Sequence, residues 1–300
     1  MTAEACAAKI APDPVEARRF ADRSEGLMAA STTTTLHAWA TPAFVDGSPV
    51  DHTWVTTFDN RKFNYPDVEA VVSAKKYYWF CWGAYHPSGG IPGNSTGALA
   101  SRKGKLPLAT CLVVANADAR QAPGARGTIF IYGVDGVCHQ LANQVLYATG
   151  GGRSAPLTVS GARGYLASTF IYGTYGLQRS AWAASIARCS AAARKMPRAG
   201  GTGMPKQSEP DDFETNARRV LADEPQLLAR LLSLRGEVQS FAAHRIPSSA
   251  PPPAEMLNSR NQHLLDEAAR LLGKEKFEKV FGFPADQRIN LVDPSVSGDK

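Results

Sequence analysis

From Leu36 to about Tyr175, β-branched and aromatic runs alternate with glycine: HTWVTTFD, KKYYWFCWGAY, ATCLVVANA, GTIFIYG, PLTVSG and YLASTFIYG. That texture predicts strands. Between the fourth and fifth run the period changes. In GVDGVCHQLANQVLYATG, residues 133–150, a helix is predicted over Val137 to Ala148. Cys138, Leu141, Ala142 and Val145 fall on one inward face of it, and His139, Asn143 and Gln144 take more polar positions. A second, Ala-rich helix is expected over Leu177 to Lys195, and a short one near the start, around Val15 to Met28.

The segment MPRAGGTGMPKQSEPDD, residues 196–212, breaks both periods with Gly, Pro and polar residues and reads as a linker. Beyond it the pattern is helical. Leu227, Leu228, Leu231, Leu232, Val238, Phe241 and Ala242 make one apolar stripe, interrupted by Gly236. AEMLNSRNQHLLDEAARLLG is a helix with a glycine stop, KEKFEKVFG a short one after it, and RINLVDPSV is expected to lie extended against them. The expected organisation is therefore an N-terminal helical arm or tail (1–31), an α+β domain (32–195), a linker (196–212) and a helical C-terminal region (213–300). The fold class is α+β, mainly antiparallel sheet with a Cys-headed helix.

Composition narrows the function. With 44% hydrophobic residues in 300 the chain can fill packed cores, yet no run of about 18 apolar residues occurs, so no membrane span is expected. The opening residues have neither a basic start nor an apolar h-region, which makes the cytoplasm the default location. Export by machinery that reads something other than a signal peptide would leave the same pattern. The five cysteines are odd in number, far apart and without a CxxC pair, so free thiols are expected rather than disulfides or a zinc site. His, Asp and Glu show no paired ligand spacing either, and ATGGGRSAP follows a helix instead of opening one. Neither metal nor cofactor is expected. The net charge of +6 is dispersed, and no recognition motif accompanies it, which argues against nucleic acid.

What remains is cysteine chemistry. Cys138 sits in the first turn of its helix, where unpaired N–H groups and the helix dipole favour a thiolate. A nucleophilic thiol also needs an imidazole within hydrogen-bond reach. Of the six histidines, His37 precedes the expected sheet, His244 and His263 lie on C-terminal helices, and His139 points about 100° away around the helix from Cys138. His52 and His86 end predicted strands, and His52 is the stronger candidate because Trp54 two residues on can wall a pocket.

A histidine on an early strand, further strands, then a cysteine at a helix head resembles the circularly permuted branch of the NlpC-type papain-like hydrolases, with HTWV and CHQLANQVL in the matching places. The resemblance spans about residues 50 to 150. It implies a permuted papain-like fold and a cysteine hydrolase or acyltransferase acting on amide or thioester bonds of a peptide-like or acylated substrate. Cys138 would be the nucleophile, with His52 as its base. The family's third polar residue has no match in YYWFCWGAY; His86, Asp59 and Asn60 are the nearest substitutes. An ion pair with His52 would hold the Cys138 thiol well below its reference value of about 8.5. The alternative is a non-catalytic binding or structural module with a peptide or glycan groove, in which Cys138 is core and the C-terminal helices dock a protein partner.

Overall fold

The computed structural model describes residues 34–42, 49–56, 79–80, 110–117, 132–149, 157–177, 211–243 and 252–294. The expected N-terminal helix, nearly all of the Leu177–Lys195 helix, most of GTIFIYG, His86 and the linker up to residue 210 lie outside the described residues.

Four strands, β1 (Thr34–Pro42), β2 (Asp51–Thr56), β3 (Trp79–Phe80) and β4 (Thr110–Ala117), form an antiparallel sheet in the order β3-β2-β1-β4. β1 is one of the two interior strands, so His37 is part of the sheet rather than ahead of it. Its residues alternate between large and small: His37, Trp39 and Thr41 share one face, Leu36, Ala38 and Ala40 the other. Pairing with β2 sets Trp39 opposite Trp54 and Thr41 opposite His52, while Ala38 faces Val55 and Ala40 faces Thr53. One face of the β1-β2 pair is thus bulky and aromatic, the other shallow.

Helix α1 (Cys138–Thr149) packs against β2, with Cys138 beside Thr53. Two runs expected as strands take other forms. The described part of PLTVSG, from Leu157, is an irregular stretch entering a turn, and YLASTFIYG is helix α2 (Tyr165–Tyr172), closed by Gly173 at φ 73°. Seven of the eight residues of α2 are buried, so it is enclosed on every side and shows no helical period to distinguish it from a buried strand. Gly164 opens it at φ 76°, a left-handed conformation, and a Cβ there would meet Val50 Cγ2 at 2.8 Å. Gly164→Ala should therefore cost about 2 kcal/mol from backbone strain and crowding, measurable as a lower denaturant midpoint at unchanged slope.

The C-terminal part contributes α3 (Asp212–Val220), α4 (Pro225–Ala243), α5 (Ala254–Leu272) and α6 (Lys274–Phe281). Asp211 caps α3 by accepting from the Glu214 N–H at 3.0 Å, and Arg218 and Arg219 lie in its last turn, where cations suit the dipole. Gly236 does not interrupt α4, which runs through it. Of the leucine stripe, Leu231, Val238 and Ala242 are buried, whereas Phe241 is exposed. The glycine stop after α5 stands as expected, and Gly282 closes α6 in the same way, both with positive φ. The segment after α6 lies along α5: Asn258 donates to the Val292 carbonyl at 2.7 Å and accepts from its N–H at 2.9 Å, as a neighbouring strand would.

Helix α2 joins the two parts, touching α1 on one side and α3, α4, α5 and α6 on the other. Phe170 of α2 meets Phe213 at a tilt and Phe281 edge-on, and Arg235 of α4 lies 4.9 Å over the Phe213 ring while pairing with Asp211 and donating to the Thr169 carbonyl. One continuous set of buried apolar side chains runs from Leu36 to Val292. Among the described residues the class is mixed α+β, with a small antiparallel sheet and six helices.

Candidate functional site: a thiol at the head of a buried helix

The turn before α1 is built by Gly133, at φ 79°, whose N–H donates to the Gly136 carbonyl at 2.9 Å. Only glycine fits: a Cβ at 133 would come within 2.8 Å of Leu257 and 2.9 Å of Val292. The Gly133 carbonyl accepts from Tyr172 at 2.7 Å and from Arg260 at 3.1 Å. The C-terminal helices therefore clamp the loop that aims the cysteine. Val137 is the residue before the helix, and its N–H donates to Gln140 Oε1 at 3.0 Å, one half of a capping box.

Cys138 is the first residue of α1 and is 4% exposed. The N–H and the hydroxyl of Thr53 and the N–H of His139 lie near its sulfur, and none of the three is seated in a bond to the neutral thiol. Each favours a thiolate. Burial opposes them and prevails, so the thiol is pushed up from its ordinary range rather than down. The expected low-pKa ion pair is thus corrected: in this closed arrangement the thiol is neutral at pH 7, because desolvation of the charged form outweighs the donors.

The structure sets α1 on the strand that carries His52, but the residue touching the thiol is Thr53. Side chains alternate along a strand, so His52 projects to the face opposite Thr53, where its ring stacks on Trp54 at 5.6 Å between centroids. Its cross-strand neighbour is Thr41, a hydroxyl and not a carboxylate. Asp51 anchors the start of β2 by accepting from Arg163 Nε and N–H, each at 2.9 Å. Of the other expected site residues, His86 and the substitutes Asp59 and Asn60 lie outside the described residues.

The polar residues of α1 are not at the surface. His139, Gln140, Asn143 and Gln144 are all buried, on the side turned to α2 and the segment after it. Asn143 donates to Tyr165 Oη and to the Thr174 carbonyl, both at 2.9 Å, and accepts from the Val159 N–H at 2.9 Å. Gln140 and Gln144 donate to the carbonyls of Gly173 and Tyr175. His139 Nε2 lies 2.9 Å from the Asp51 carbonyl, which can only accept, so that nitrogen carries the proton and Nδ1, 2.8 Å from Ser168 Oγ, is the acceptor. Burial lowers the His139 pKa from 6.5 to about 4, against the smaller pull of Asp51, so the imidazole is neutral at pH 7. It already has two partners, and its ring serves as a post between β2 and α2.

These four side chains were missed as buried in the reading from sequence. The signal was present: CHQLANQVLYAT contains no charged residue, which an exposed helical face almost always carries. No group of three or more His, Cys, Asp or Glu residues that could hold a metal ion occurs among the described residues, and no helix there is long and apolar enough to cross a membrane. No protein-family model, curated protein or solved structure matches the chain.

Proposed function

We propose that the chain is a cysteine hydrolase or acyltransferase of amide or thioester bonds, with Cys138 as nucleophile and a permuted papain-like arrangement of strand and helix. One observation carries the reading: a thiol at the first position of a helix, set beside Thr53 on the strand against which that helix packs. Because the resting thiol is neutral, its proton must leave as it attacks, which requires a general base. His52 is turned to the opposite face of β2 from the thiol, so of the two histidines the sequence offered the role falls to His86, which lies outside the described residues.

In the reaction the sulfur forms a bond to the substrate carbonyl carbon, the carbonyl π pair moves onto oxygen, and the Cys138 proton passes to the general base. Collapse of the adduct breaks the bond to the leaving amine or thiol, which takes that proton, and leaves a thioester on Cys138. Water or an acceptor nucleophile then cleaves the thioester and regenerates the thiol. N–H groups at the helix head are suited to the oxyanion. Peptides, peptidoglycan stem peptides and glutamine side chains are all compatible substrates.

The second reading, a binding or structural module with Cys138 as core, is favoured by the burial of the thiol and by its raised proton affinity. Cys138→Ala separates the two. On the enzyme reading it abolishes turnover of amide and thioester test substrates while the thermal midpoint stays within about 3 °C of wild type. A variant that loses stability while the wild type shows no Cys138-dependent turnover on any of these substrates would instead establish the module.

A further inference from the structure

The hydroxyl of Thr53 has no work in the fold. It is 1% exposed, yet its Oγ1 has no hydrogen-bond partner, although a buried hydroxyl left unbonded costs about 1–3 kcal/mol. Valine, of the same shape and better suited to a strand, would remove that cost. The side chain shares the shallow sheet face with Ala38, Ala40 and Val55, and the group it adjoins is the Cys138 sulfur. It is near enough to steady charge on that sulfur but is not seated in a bond to the neutral thiol.

We infer that Thr53 is a positioning residue for Cys138, its hydroxyl held in place to donate to the sulfur when the proton leaves. The Thr53 N–H and the His139 N–H complete a seat for an anionic sulfur. Such a group is ready before charge develops and needs no reorganisation when it does. The inference rests on the proposed role of Cys138 and adds a residue that the His-Cys pairing does not include.

The variants that test it are Thr53→Val, which keeps the shape and removes the donor, and Thr53→Ser, which keeps the donor. Thiolate formation is followed in the full chain by absorbance near 240 nm, taking the difference from Cys138→Ala, so that no reagent has to enter the site. Iodoacetamide alkylation of Cys138 gives a second profile. Thr53→Val should raise the thiolate midpoint by about one unit, a tenfold fall in thiolate at a fixed pH below it, while Thr53→Ser stays close to wild type. A purely structural Thr53 would leave the midpoint in place and change only stability. An unchanged midpoint in Thr53→Val alongside turnover that still requires Cys138 would overturn this inference alone. Absence of any Cys138-dependent turnover would overturn the proposed function, and the inference with it.

Discussion

Asn143→Leu is expected to lower the free energy of unfolding by about 4 kcal/mol. Leu keeps the branched heavy-atom framework of Asn but is larger, so some crowding adds to the loss of the amide's bonds. In the native protein the Asn143 amide serves the Val159 N–H, the Thr174 carbonyl and Tyr165 Oη, all buried. Tyr165 keeps its bond to Asp212 at 2.7 Å, so the orphaned groups are the amide of 159 and the carbonyl of 174. Each buried orphan costs about 1–3 kcal/mol. Denaturant unfolding of the variant checks this, with the exposed Arg219→Ala as a control expected to stay within about 0.5 kcal/mol. A loss under about 1 kcal/mol for Asn143→Leu would mean that water reaches the interface between α1 and the loop after α2.

The second large effect is on the pH dependence of stability. The native pKa of His139 is lowered from 6.5 to about 4, chiefly by burial. The unfolded state therefore binds a proton that the native state refuses across this window. Stability is fully present above the unfolded value, falls as the pH drops below 6.5, and levels off, for this group, near pH 4. The difference corresponds to about 3 kcal/mol in all, of which about 2 kcal/mol is lost between pH 6.5 and 5. Carboxylates titrate below this upper interval, and the remaining histidines are common to both proteins if His139→Gln is the comparison. The wild type should lose about 2 kcal/mol more than His139→Gln between pH 7 and 5. Parallel curves would show that His139 is hydrated in solution.

What the sequence revealed depended on contrast between faces. The Gly273 stop and the short helix after it were legible because both helices carry charged outer faces and solvent imposes a period. Where an element is buried on all sides the period vanishes. YLASTFIY reads equally as strand or helix, and only the packing of α1 and of the C-terminal helices around it decides the matter. The strand TTLHAWATP was missed for a related reason: its alternation is between small and large residues, not apolar and polar.

The candidate site was legible in part. Cys138 at a helix head and His52 on a strand stand where the pattern set them. Hidden in the sequence was the register of α1 on β2, which no local signal encodes and which brings Thr53 to the thiol. His139, Asn143 and Gln144 were read only as the more polar positions of the helix; that they and Gln140 serve internal carbonyls, amides and hydroxyls depends on where residues 157 to 175 pass.

The central claim is that the Cys138 thiol does chemistry from within the folded protein. Its most direct test is site-mapped alkylation of the native full chain by iodoacetamide, followed from pH 6 to 10 and read by peptide mass spectrometry for all five cysteines. The account predicts modification of Cys138 without unfolding, at a rate that rises with pH to a midpoint above about 8.5 because burial holds the proton on sulfur. Cys138 that stays unmodified over the whole range and reacts only once denaturant unfolds the chain would contradict it.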